Sequence, residues 1–388
     1  MGALRLHDIR HIRRQALRDA AIAPRTLLAG NLRTWGISAT RFLDPDAPMN
    51  PRETLDTIID QCVDASGIPL PGKGDTLARW QLLATIGTEF GAVGIKLFEA
   101  HADALAILAE VADVTPPSAT RWAVWAAEPP DAKVLCKVSV DTDTRALAAS
   151  TRIGNGEPVL LNGRKAWCSG ASGVTHALLT CHDSEGASRL AVIDLHGPGV
   201  TITTDGWLAV GMAATCSGDV LLENCPALCI GGDRAYLDRP GFWHGGAGIA
   251  PCWYGAVLPL ADAVRRTVSQ RKDPHAAAHL GAIDGALESA AALLRETAAW
   301  IDAHPADNAF VPAMRLRTVV EAAAQTVLHR AGHVVGAGPL CRNGRLAALY
   351  ADLPVFLRQS HAERDLAALG LAVAEPVAEP ETLDRYRL

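Results

Sequence analysis

The sequence predicts a mainly helical protein with a small all-β domain at its centre. Three observations lead there. Apolar residues recur at helical spacing through the first third, the period falls to two in the middle, and helical spacing returns near residue 231. The predicted order is a helical N-terminal domain (1–118), a small antiparallel β-barrel (119–230) and a C-terminal four-helix bundle (231–388). That order differs from the βαβ alternation of a doubly wound sheet.

In the first part, Leu55, Ile58, Ile59 and Cys62 mark one helix, and Trp80, Leu83, Ile86 and Phe90 a second. The Ala- and Leu-rich run Leu97–Val111 marks a third. The middle part begins after the two prolines of Val111–Thr120. Trp122, Val124 and Ala126 alternate there, as do Val134, Cys136, Val138 and Val140. Short strands follow at Pro158–Leu161, His176–Cys181, Leu190–Asp194, Val200–Thr204 and Val220–Leu222. Asn162-Gly163 reads as a two-residue hairpin turn, which needs φ > 0 at both positions. The bundle helices are expected at Ala256–Lys272, His275–Ala303, Ala313–Val335 and Asn343–Leu369, with Pro354 kinking or breaking the last.

Composition narrows the function. The chain has 388 residues and a formal net charge of −6, with no long basic run, which argues against a nucleic-acid surface. The basic N-terminus lacks the apolar stretch of a signal peptide, and no eighteen consecutive apolar residues suggest a membrane span, so the expected address is cytoplasmic. The nine cysteines include no CxxC pair and read as buried free thiols, with no metal site expected.

Several motifs carry little. Gly67…Gly72-Lys73 imitates a phosphate loop, but Gly74 replaces the Ser or Thr that holds magnesium, and no strand precedes it. Gly245-Gly246-Ala247-Gly248 lacks dinucleotide spacing, and Gly170-Ala171-Ser172-Gly173 lacks that of a nucleophile elbow. His7 and His11, i and i+4, show no third metal ligand. The run Arg358–Asp365 carries more. On a helix, Arg358, His361 and Asp365 share one face, and Ser360, Glu363 and Arg364 another, so that His361 or Glu363 facing a cleft is a candidate acid or base.

Within this three-part order, Trp122-Ala123-Val124-Trp125-Ala126-Ala127-Glu128-Pro129 and Asn162-Gly163-Arg164-Lys165-Ala166-Trp167-Cys168-Ser169-Gly170 resemble segments of the acyl-CoA dehydrogenase family's middle domain. Gly211-Met212…Ser217-Gly218-Asp219-Val220 is similar to the strand that leaves that domain. The resemblance implies FAD between the β domain and the bundle, with Trp167 and Ser169 against the isoalloxazine ring and the backbone of Ala126–Glu128 along its pyrimidine side. It also implies that Arg271 reaches the FAD phosphates, and that His333, Gly336 and Gly338 close over the adenosine half. A homodimer or homotetramer is the implied assembly.

The family's reaction takes a C2 proton from an acyl thioester, borne on CoA or a carrier protein, as hydride leaves C3 for flavin N5. Its Glu base falls here at about Gln359-Ser360-His361, where no Glu stands. The catalytic candidates are therefore His361 first, with Ser360 beside it, and then Glu363 or Glu99. An acyl thioester dehydrogenase is the first expectation, and its electron acceptor is left open. The alternatives are a flavin-dependent monooxygenase on the same fold and a catalytically silent structural or acyl-binding member.

Overall fold

The computed structural model describes residues 50–63, 67–139 and 143–375; the His7–His11 pair lies outside them. Helix α1 (Pro51–Cys62) begins at a proline whose missing N–H costs no helical bond, and the Asn50 side chain accepts from the Arg52 N–H at 2.9 Å. Helix α2 (Thr76–Ile107) joins the second and third expected helices, interrupted at Gly91 by a φ of 72° and followed by a π turn, Leu108–Ala112. Its first turn is capped from far along the chain. Asp302 accepts from the Gly74 and Thr76 N–H groups, both at 3.0 Å, and from the Thr76 hydroxyl at 2.6 Å. A carboxylate thus fills the place that a phosphate would need beside Gly72-Lys73.

The β domain comprises β1 (Trp122–Trp125), β2 (Val134–Val138), β3 (Glu157–Lys165), β4 (His176–His182), β5 (Ser188–Asp194), β6 (Val200–Ile202) and β7 (Val220–Ile230), with a short helix, α3 (Arg145–Thr151), before β3. Strands β4, β2, β3, β7 and β5 close a ring, because β5 also pairs with β4. The pairing is antiparallel except along β4, which takes β1 and β2 as parallel neighbours.

Asn162-Gly163 makes no hairpin turn. β3 runs through it, and its register against β7 shifts between Leu161 and Gly163. Gly163 takes φ 132°, and a Cβ there would sit 2.2 Å from the Lys133 carbonyl oxygen. Asn162 Oδ1 meanwhile accepts from the Asn224 N–H at 2.9 Å. The glycine's conformational freedom serves a bulge and a close strand approach.

The C-terminal part holds α4 (Ala235–Asp238), α5 (Gly241–Gln270), α6 (Pro274–Ala303), α7 (Phe310–Val335), α8 (Ala337–Arg342), α9 (Gly344–Phe356) and α10 (Glu363–Ala374). The last expected helix is thus two. Pro354 removes the donor to the Tyr350 carbonyl, and α9 ends two residues later in a 3₁₀ turn, Leu357–Gln359. Ala362, at φ 47°, then turns the chain into α10. Residues 358–361 therefore leave the helix face on which the sequence places them.

Helix α5 is long and apolar enough to cross a membrane, but 67% of its most apolar window is buried inside the protein, where it packs on α2 and α7. It crosses α2 closely: a Cβ on Gly255 would lie 2.0 Å from the Ala84 carbonyl oxygen. Pro259 leaves the Gly255 carbonyl without its helical donor. The Thr88 hydroxyl of α2 reaches that carbonyl at 3.0 Å while also lying 2.9 Å from the Ala84 carbonyl.

Candidate functional site

A cleft of about 490 Å³ opens between the end of the barrel and the α9–α10 junction. Its barrel wall is Val124–Ala127, Trp167, Ser169, Thr215 and Ser217; its helical wall is Lys96, Ala100, Val355, Phe356, Arg358, Gln359 and His361. Trp207 and Met212 complete it.

The barrel wall is tied together by backbone and hydroxyl bonds. The Cys168 N–H donates to the Gly218 carbonyl and the Gly170 N–H to that of Thr215, both at 2.8 Å. The Trp125 indole N–H donates to the Ser169 carbonyl at 3.3 Å. Ser169, Ser217 and Thr215 form a hydroxyl chain with both steps at 2.7 Å. Met212 is held from the bundle, its N–H donating to Asp352 Oδ1 at 2.6 Å. Trp167, Met212 and Cys216 all have positive φ, between 46° and 58°, although none is glycine. Such residues cost of order 1 kcal/mol or more each and cluster where function fixes the backbone. Trp167 remains 54% exposed over the cleft, a large apolar face uncovered beside a row of hydroxyls. That donor set and open aromatic face fit a flat, polar-edged ring of flavin size.

Of the residues singled out in the sequence, Ala126, Trp167, Ser169 and His361 line this cleft together. Glu128 turns away from it. Its carboxylate accepts from the Thr180 hydroxyl at 2.5 Å, His182 Nε2 lies at 2.8 Å, and the ammonium of the fully buried Lys165 at 3.4 Å. Burial works to raise the Glu128 pKa, but the Thr180 and His182 hydrogen bonds and the Lys165 charge outweigh it and hold the carboxyl below its usual range. Ser360 is buried and accepts from the Ala362 N–H at 3.1 Å. It lines, with Glu363, a separate cavity of about 260 Å³.

Arg271 ends α5 and His333 lies near the end of α7, with Gly336 and Gly338 beyond it. None of these four lines the cleft. The His333 ring stacks on His279 at 5.2 Å, and His329 meets it edge-on at 4.8 Å.

A second cavity of about 270 Å³ adjoins the first, sharing Gln359 and His361 as lining. Here Glu99 pairs with Lys96 at 3.0 Å, Arg239 with Glu110 at 2.7 Å, and Arg317 with Asp365 at 3.4 Å. Asp103 is half-buried with its Oδ1 shielded from solvent, and desolvation raises its pKa. Asp103 Oδ1, Arg239 Nε, Arg317 Nε and Gln359 Oε1 lack hydrogen-bond partners. Sequence reasoning missed this polar cavity because its members come from α2, the α4–α5 segment, α5, α7, the turn before α10 and α10 itself, at no common spacing. It also missed Trp207 and Thr215, which the fold brings into the same cleft as Ser169.

No family model and no curated protein matches the chain. Solved structures do. FkbI, described for biosynthesis of the methoxymalonyl extender unit of the Fk520 polyketide, is 15% identical with a TM-score of 0.65, over 90% of this chain and 98% of that one. Butyryl-CoA dehydrogenase from Megasphaera elsdenii is 13% identical with a TM-score of 0.64, over 77% and 82%. FMN-bound TdsC from Paenibacillus sp. A11-2 is 16% identical with a TM-score of 0.63, over 75% and 82%. The helix–barrel–bundle order and these likenesses agree: the chain has the fold of the acyl-CoA dehydrogenase-like flavoproteins.

Proposed function

We propose that the cleft between Trp167 and His361 binds a flavin, and that the chain is a flavin-dependent monooxygenase acting on a compact polar substrate. One observation carries the choice of reaction: among the described residues no carboxylate lines the cleft itself, and Glu99 and Asp365 of the adjoining cavity are held in ion pairs with Lys96 and Arg317. The adjoining cavity supports it. Its ion pairs and unpartnered polar atoms would lose water against an alkyl chain and gain nothing in return.

A bound flavin supplies two-electron transfer and reaction with dioxygen. Trp167 would pack on the ring, Ser169 would donate to its edge, and the backbone of Ala126 and Ala127 would follow its far side. His361, at the junction of the two cavities, would move a proton to or from the substrate. FAD is the form proposed, with Arg271 reaching its phosphates and His333, Gly336 and Gly338 closing over its adenosine half across a homodimer or homotetramer interface.

The acyl thioester dehydrogenase remains the second reading, because His361 paired with Asp365 is itself a competent base. One set of measurements separates the two. Heat-released cofactor is identified by chromatography. The holoprotein is then mixed anaerobically with butyryl-CoA, and separately given reduced flavin, oxygen and methanesulfinate. The monooxygenase reading expects products one oxygen heavier and no bleaching by butyryl-CoA. Bleaching by the thioester would reverse the ranking, and a colourless protein that takes up no added flavin would sink both readings.

A further inference from the structure

We propose that Cys136, Cys181 and Cys229 form a binding site for a thiophilic metal ion, held by three thiolates inside the barrel wall. The sequence hides the grouping, because the three lie on different strands far apart in the chain. The barrel brings β2, β4 and β7 together so that the three buried sulfurs all lie within 4.8 Å of one another. A metal bound to three thiolates at about 2.3 Å requires sulfurs about 4 Å apart, so small side-chain rotations close the gap. Three soft ligands with no oxygen among them favour Cu(I) or Zn(II) over harder ions.

A second observation points the same way. Arg189 on β5 flanks the cluster. It pairs in register with Cys181, whose thiol donates to the Arg189 carbonyl at 3.8 Å. One guanidinium nitrogen, Nη2, meets Glu157 at 2.7 Å, while Nε is buried with no partner. A negatively charged thiolate–metal centre gives that unpaired donor a counter-charge. As the ion binds, each ligating thiol releases its proton to solvent, and no oxidation state changes. None of the three cysteines lines the cleft, so the site is independent of the flavin reading.

The test titrates the reduced full-length protein with Cd(II) alone, and with Cu(I) delivered from a weak chelator. The expected result is a thiolate-to-cadmium charge-transfer band that saturates at one ion per chain, with the same stoichiometry by native mass spectrometry. Cys136→Ser and Cys181→Ser abolish the band, whereas Cys341→Ser, at an exposed thiol, keeps it. If a buried variant fails to fold, the ion count on the unaltered chain decides. No band at several equivalents, a band that survives in both buried variants, or a disulfide between two of the three in the alkylated protein would overturn the proposal.

Discussion

His361 and Asp365 hold each other through both oxygens of one carboxylate: Oδ1 lies 3.3 Å from the ring Nδ1, and Oδ2 accepts from the His361 N–H at 3.1 Å. Arg317 reaches the same carboxylate at 3.4 Å. The ring is thereby oriented at the passage between the two cavities, although it is 57% exposed. On the proposed function, His361→Ala lowers turnover about 10²-fold or more, and Asp365→Asn about tenfold, while bound-flavin absorbance is unchanged. Loss of flavin in either variant would assign the pair to binding.

Trp167→Ala removes an indole that is half in solvent, so the melting temperature should barely move. Flavin affinity, followed by fluorescence quenching, should fall about tenfold or more if the ring packs there. Unchanged affinity would remove Trp167 from the site.

Lys165 belongs to the motif that suggested the cleft, yet its ammonium is buried against Glu128 and Thr180, accepted by the Thr180 carbonyl at 2.9 Å. Glu128→Gln leaves that charge without a counter-ion and should cost about 2 kcal/mol, toward the low side for a buried pair because Glu128 is 28% exposed. Lys165→Met, which removes the buried charge, should cost less. Urea unfolding of both variants and their double checks the order.

His101 is buried and its Nδ1 accepts from the Trp122 N–H at 3.1 Å. Burial, aided by Arg121 and opposed by Asp56, holds its imidazole down to about 3, against 6.5 for a free one. Between those values the unfolded chain binds a proton that the folded chain refuses, so stability rises with pH across that window. His176 and His244 shift in the same direction, chiefly through burial. Unfolding free energy should therefore be lower at about pH 5 than at about pH 7, and His101→Asn should flatten the difference without abolishing it.

Gly255→Ala places a methyl 2.0 Å from the Ala84 carbonyl oxygen, with backbone on both sides of the contact. Forcing α2 and α5 apart should cost about 1–3 kcal/mol or more, visible as a lower urea midpoint. An unchanged midpoint would mean that the crossing is looser than described.

Periodicity made the three-part fold legible, and the middle strands begin within two residues of their expected places, although the last, expected at Val220–Leu222, runs on to Ile230. Asn162-Gly163 misled because a glycine's positive φ serves a turn and a bulge equally well. The Arg358–Asp365 face failed because spacing alone does not reveal where the chain leaves a helix, and the left-handed Ala362 carries no turn signature. Trp167, Ser169 and His361 were legible through motif and residue chemistry. Asp365, four residues from His361, was legible too, whereas the Thr215 end of the hydroxyl chain and Arg317 were not, since tertiary convergence leaves no period in the chain.

The bond from Thr88 to the Gly255 carbonyl has a consequence for assembly of the chain. Helix α5 carries a gap in its own ladder at Pro259, and its repair comes from a different helix. Cut out as a peptide, α5 should fray at that point, and a chain lacking α2 should leave the bundle partly molten. Helix α2 and the C-terminal bundle then form one cooperative unit, and unfolding should show a single transition for both rather than one for each.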